Sequence, residues 1–259
     1  MTRSIRLPAF TLVELLVVIT IIVVLLALLS PAMDRAVYQA ELAVCGARQR
    51  AVGSGVLTYA AANNRSFSIA RFVQPDLIAN QADKRPALRT MLGVALNGLL
   101  NCPLTGKVGI DESQATSTYA SYYLWFGWWY DGQRRMARIG DRFTWNGYGY
   151  SVIASDINIM WDTQARSNHP DRDPAKMWGL VLDQGDDPWR DGDSTMTIST
   201  WRLTGTPERG LLDNNFAYQD GSVRRVDAIA WNGDSRLREV PNFSDGTAPS
   251  GIRAYLPAE

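Results

Sequence analysis

The longest pattern in the chain is a run of apolar positions with almost no polar interruption. From Leu15 to Met33 no charged residue occurs. Wound as an α-helix, that stretch is about 28 Å long, close to the ~30 Å hydrocarbon core of a bilayer. Its Leu, Val and Ile fall on all sides of the helix, so lipid or a tight helical bundle is the solvent it suits. Beyond Met33 the pattern becomes periodic. Val37, Ala40, Val44, Ala47, Ala51, Val52, Val56 and Tyr59 recur at steps of three and four and predict one apolar face of a continuing helix. Asp34, Arg35, Glu41, Arg48 and Arg50 mostly take the other faces. Gly53 and Gly55 each weaken the last turns by about 1 kcal/mol relative to alanine, and Asn63-Asn64 supplies a stop.

After about Arg65 the helical period fades. One further helix is predicted across Pro86–Leu96, with Leu88, Met91, Leu92 and Ala95 on one face. Elsewhere short aromatic and β-branched runs alternate with Gly, Asn and Asp turns. They predict strands at Tyr119–Tyr130, Phe143–Ile153, Met177–Leu182, Thr195–Trp201, Asn215–Tyr218 and Ser222–Ile229. Asp220-Gly221 between Phe216 and Val223 is a tight hairpin signal. Pro241–Glu259, rich in Pro, Gly and Ser, is predicted to be irregular. The fold class that follows is α+β: a long N-terminal helix, transmembrane in its first half, packed on a largely antiparallel β-sheet domain. The divisions are a leader at 1–9, a transmembrane helix at 10–32, a spine helix at 33–64 and a globular β-rich head at 65–259.

Composition then narrows the chemistry. With 26 basic and 26 acidic residues among 259, bulk charge offers no attraction to nucleic acid. At 46% apolar and 20% charged the chain is neither a disordered tail nor a multi-span membrane protein. Two cysteines exclude a disulfide-dense scaffold and a four-cysteine zinc site. The single histidine, His169, weighs against histidine-based triad or metal chemistry and reads as a loop residue. There is no GxSxG elbow, Walker loop or HExxH, and nothing selects a carboxylate pair, so neither enzymatic activity nor a cofactor is expected.

Three clusters leave alternatives open. Cys45 and Cys102 form either a disulfide that staples the spine to the head, worth roughly 3–4 kcal/mol on the loop-entropy model, or two separate buried thiols. The run Tyr122–Tyr130 is either a core strand or an aromatic platform for a glycan or another subunit. The acidic stretch with Asp186, Asp187, Asp191 and Asp193 is either a solvated loop or a weak calcium site, and its spacing departs from the EF-hand pattern.

The amino terminus carries the sharpest signal. Arg3 and Arg6, with no acid before Phe10, predict that this end stays in the cytoplasm and the bulk lies across the membrane. A plain uncleaved anchor fits that pattern. So does a secretory signal peptide cut after Ser30-Pro31-Ala32, which would release a chain beginning at Met33. Glu14 suits neither. A carboxylate in a membrane helix costs roughly 2.5–3.5 kcal/mol near the centre and less near the end, and the next base along the helix is Arg35.

The segment Ala9-Phe10-Thr11-Leu12-Val13-Glu14-Leu15-Leu16-Val17-Val18-Ile19 closely resembles the class III signal sequence of type IV pilins and type II secretion pseudopilins. The resemblance implies cleavage by a prepilin peptidase between Ala9 and Phe10 and N-methylation of Phe10. It implies that Glu14 neutralises the amino terminus of an adjacent subunit, and that Pro31 kinks or loosens the helix in the assembled fibre. The expected partners are the peptidase, other pilin-like subunits and the inner membrane. The expected topology is single-pass, with a cytoplasmic amino terminus and a periplasmic head. Ala9, preceded by Pro8, stands where the family usually has glycine, which implies slower processing. Ala43-Val44-Cys45, Tyr59 to Asn64, Asn101-Cys102-Pro103 and Asn215 to Val223 are further similar to a pilin-like subfamily with large C-terminal domains. There, an Asp-Gly turn like Asp220-Gly221 follows a histidine ten residues earlier; here that position is Gly210. Some pseudopilins bind calcium in a loop resembling the acidic stretch. The alternative function is a membrane-anchored or secreted binding module with an aromatic glycan-contact surface.

Overall fold

The apolar run and the periodic segment after it form one α-helix, Leu12–Ala62, of 51 residues. The computed structural model describes residues 11–67, 77–78, 99–100, 102, 118–119, 122–127, 129–130, 133–134, 136–156, 158–161, 164–167, 169, 180–184, 199–204, 212–229, 236–240 and 253–257. Within it the chain divides into two compact units, residues 1–40 and 41–259. The leader, Ala9 and Phe10, the helix expected at Pro86–Leu96, Gly210 and the four aspartates from Asp186 to Asp193 lie outside the described residues.

In the first unit the helix begins with a reciprocal cap. Thr11 donates from its backbone N–H and its hydroxyl to Glu14 Oε2, at 2.8 and 2.7 Å, and Glu14 N–H donates back to Thr11 Oγ1 at 3.2 Å. This Thr-x-x-Glu capping box satisfies donors that the first turn leaves without intrahelical partners. Glu14 thus has local hydrogen-bond partners, which the sequence reading overlooked, although none of them carries a positive charge. Leu12 to Leu29 present an apolar surface with every large side chain at least 45% exposed. Thr20, the one polar residue in this stretch beyond Glu14, turns its hydroxyl back to the Leu16 carbonyl at 2.7 Å. Pro31 lies inside the helix, and helical residues continue on both sides of it, so proline does not end the element.

In the second unit the helix buries Leu42, Cys45, Gln49, Val52, Val56 and Ala60. These recur at three- and four-residue steps, as one face of a helix must. The face is rotated from the one that the apolar pattern predicts: Val44, Ala47 and Ala51 are exposed, as is Val37 in the first unit. Glycine explains part of the rotation. A Cβ on Gly53 would meet Ile153 Cδ1 at 3.4 Å, and one on Gly46 would meet Asn215 Oδ1 at the same distance, so the helix lies close against the sheet along this line. The helix ends at the expected place, where Asn63 Nδ2 donates to the Tyr59 carbonyl at 2.7 Å and Asn64 and Arg65 adopt positive φ.

That sheet has four strands, all antiparallel, in the order Val223–Ile229, Leu212–Tyr218, Val152–Asp156 and Tyr122–Leu124. Every residue of Val152–Asp156 is buried, as a central strand covered on both faces requires. The hairpin signal at Asp220-Gly221 is realised: Gly221 has φ +81, and Ser222 N–H donates to Asp220 Oδ1 at 2.8 Å between the first two strands of that order. A six-stranded antiparallel sheet runs Leu180–Gln184, Ser199–Thr204, Gln164–Ser167, Asn158–Trp161, Arg253–Leu256 and Arg238–Val240. Strand Arg253–Leu256 corrects the expectation that the closing segment is irregular throughout. It pairs with Arg238–Val240 on one side and Asn158–Trp161 on the other. The architecture is α+β.

The rotated helix face gives a direct check. Leu42→Ala, at a position 1% exposed, should lower the unfolding free energy of the head by about 2–5 kcal/mol in denaturant titrations followed by tryptophan fluorescence. Val44→Ala, at 43% exposure, should change it by less than about 0.5 kcal/mol. The reverse ranking would contradict the packing described here.

Candidate functional site

The head contains one polar cluster that a structural core alone does not call for. Its centre is Asp156, at the end of the central strand and fully buried. The carboxylate collects donors from three elements. Gln49 Nε2 on the helix reaches Oδ1 at 2.6 Å, and the backbone N–H and side-chain Nδ2 of Asn215 reach Oδ2 at 2.6 and 3.0 Å. His169 Nδ1 lies 3.0 Å from the same Oδ2.

Local structure explains each placement. Cys45 and Gln49 are four residues apart on the helix and so share a face. Tyr122 is the cross-strand partner of Asp156, and Phe216 pairs with Ser155, which brings Asn215 alongside the carboxylate. His169 lies beyond strand Gln164–Ser167 and is tied by its carbonyl, which accepts from Asp213 N–H at 3.0 Å.

The other face of the imidazole meets both cysteines. His169 Nε2 is 3.0 Å from Cys102 Sγ and 3.1 Å from Cys45 Sγ, and the two sulfurs are 2.9 Å apart. No disulfide bond joins them. The two cysteines that the sequence pairs are thus brought into contact between the helix and the head. All three residues are buried, and their ligand atoms lie within 4.8 Å of one another, a grouping able to hold a metal ion. The Tyr122 hydroxyl is hydrogen-bonded with Cys45, and its ionisation is pushed well up by burial and by the charges of Cys45, Cys102 and Asp156.

The electrostatics follow from charge in a dry site. Burial works against ionisation of Cys45, but hydrogen bonds with Cys102 and His169 and the charge on His169 outweigh it and the Asp156 carboxylate, bringing the thiol down to about 6. Burial likewise opposes a charged imidazole. The Asp156 carboxylate, hydrogen bonds with Asp156 and Cys45, and the Cys45 charge prevail and raise His169 to about 10. In the reduced protein the group is an imidazolium held between a carboxylate and a thiolate.

His169 is the member that sequence reasoning missed, and the reason is distance along the chain. It stands 67 residues from Cys102 and 124 from Cys45. A lone histidine in Ser-Asn-His-Pro carries no spacing that links it to either cysteine. Of the other expected sites, Tyr122, Leu124, Trp125 and Phe126 are core, with Trp125 Nε1 donating to Ser155 Oγ at 2.9 Å. The side chains of Tyr123, Trp128, Trp129 and Tyr130 lie outside the described residues. No protein-family model, no curated protein and no solved structure matches the chain.

The paired ionisation makes a signed prediction for the reduced, chelator-treated chain. The stability contributed by His169 is complete below the ordinary imidazole value of ~6.5 and is lost as the pH rises through about 10. That from Cys45 is complete above the ordinary thiol value of ~8.5 and is lost as the pH falls through about 6. Melting temperature should therefore be highest between about pH 6.5 and 8.5 and fall on both sides. His169→Asn should abolish the fall on the alkaline side and weaken the fall on the acid side, where the Cys102 hydrogen bond still favours the thiolate; a profile unchanged by that substitution would contradict the pairing.

Proposed function

We propose that the chain is a pilin-like structural subunit, cleaved by a prepilin peptidase between Ala9 and Phe10 and methylated on Phe10. Its N-terminal helix then assembles with other pilin-like subunits into a type IV pilus or a type II secretion pseudopilus. Before assembly the protein sits in the inner membrane as a single-pass protein, with its amino terminus in the cytoplasm and its head in the periplasm. One observation carries the reading: the helix Leu12–Ala62 is long and apolar enough to cross a membrane, with none of its apolar window buried within the chain, and the sequence at its start reads Phe10-Thr11-Leu12-Val13-Glu14. An unburied apolar surface of that size needs lipid or neighbouring helices to cover it.

Glu14 supplies the register. Its bonds to Thr11 satisfy hydrogen-bonding capacity but leave its charge uncompensated in a low-dielectric surrounding. The amino group freed at Phe10 of an adjacent subunit supplies the cation, and two charges that are costly alone become tolerable together. The pair forms only between chains, so it controls recruitment into a filament more than the stability of one subunit.

Mass spectrometry of the protein isolated from membranes should show N-methyl-Phe10 as the first residue; a chain starting at Met1 or Met33 would refute the reading. Glu14→Gln retains the reach to Thr11 while removing the charge. We expect it to be processed and to stay in the membrane, with filament yield at least roughly tenfold lower, as for a lost charge pair worth more than about 1.4 kcal/mol. Filaments at the unaltered level would end the pairing role.

A further inference from the structure

We propose that Cys45, Cys102 and His169 form a binding site for a zinc-class divalent cation, with Asp156 as the residue that orients the histidine. The inference goes beyond the filament reading and does not depend on it, because every group involved lies in the second unit.

The geometry is that of a ligand set. Two sulfurs and one ring nitrogen converge with separations of 2.9, 3.0 and 3.1 Å. Both sulfurs face the same nitrogen, Nε2, so a single point can be reached by all three donors. Thiolates and imidazole are the donors that borderline-soft ions such as Zn²⁺ prefer, at about 2.3 Å for sulfur and 2.0–2.1 Å for nitrogen. Tetrahedral coordination at those bond lengths needs donor separations of about 3.5–3.8 Å, so the three donors spread by roughly 0.5–0.9 Å as the ion enters, which leaves a fourth position for water.

The surroundings are those a bound cation needs. In zinc sites the ligating imidazole usually gives its other N–H to a carboxylate, which fixes the tautomer and raises the basicity of the ligating nitrogen. Asp156 Oδ2, 3.0 Å from His169 Nδ1, is in that position, and its remaining capacity is filled by Gln49 and Asn215. The carboxylate is thus held as an acceptor, so the proton an entering ion displaces is the one on Nε2, whose lone pair then faces the sulfurs. Tyr122, hydrogen-bonded with Cys45, provides a donor for a thiolate. A disulfide or a pair of packed thiols requires none of this apparatus, whereas burying an Asp-His pair without a role is costly.

Protons balance simply. Binding displaces two from the Cys45, Cys102 and His169 group to solvent: the ion meets two thiolates and a ring protonated only at Nδ1. The ion joins three segments far apart in sequence, the helix at Cys45, the chain at Cys102 and the loop at His169, which gives it a structural role in fastening the helix to the head.

The test uses the full chain purified from membranes in detergent without chelator. Metal analysis should find about one zinc per chain, and both thiols should react with a thiol reagent only after denaturation, without prior reduction. After chelation and reduction, titration with Co²⁺ should produce thiolate-to-cobalt charge-transfer absorption that saturates at one equivalent and is displaced by Zn²⁺. Cys102→Ser should abolish that band. Asp156→Asn should keep it while weakening Zn²⁺ affinity by about 10–100-fold, a readout independent of whether the cysteine variant folds. A chain purified with Cys45 and Cys102 oxidised to a disulfide, or a reduced wild-type chain that takes up neither ion, would overturn the proposal.

Discussion

A carboxylate taken out of water must be met by donors or by a cation. Asp156 is fully buried in the head and is answered within the chain by Gln49, Asn215 and His169. Glu14 stands at the start of an apolar helix and, among the described residues, is met by Thr11, a neutral partner. On the filament proposal, the contrast separates a site that is complete in one subunit from one that a second subunit completes. The same helix carries both solutions: its first half leaves apolar side chains outward, and its second half turns Leu42, Val52 and Val56 inward.

Much of the scaffold is legible in the sequence because its signals are local. The charge-free run and the stop at Asn63-Asn64 mark the helix, and Asp220-Gly221 marks the hairpin. Strands Val223–Ile229 and Leu212–Tyr218 fall where β-branched and aromatic residues alternate with turns. The buried face of the helix is less legible, because valine and alanine occur on several sides and the burying face includes Gln49 and Gly53. Neither looks like core in one dimension. Gln49 is buried because Asp156 requires a donor, and Gly53 because Ile153 requires room.

The cluster around His169 lies at the other extreme. Cys45 and Cys102 invite pairing from sequence, but the imidazole that faces both of them arrives from a loop between strands of the larger sheet, and its carboxylate partner ends a strand of the other. Chemistry assembled from four separated segments leaves no short motif. The capping box at Thr11 and Glu14 has a readable signature, four residues long; on the filament proposal the same glutamate also carries the charge matched between subunits.

The chain has a single histidine, so the ring nitrogens of His169 give unambiguous signals in a ¹⁵N spectrum of histidine-labelled protein. That spectrum tests most directly whether Asp156 organises the head. The account predicts a ring that carries its Nδ1 proton without change from about pH 5 to pH 8, whether or not an ion occupies Nε2. A ring that titrates with an ordinary midpoint near ~6.5 would contradict it.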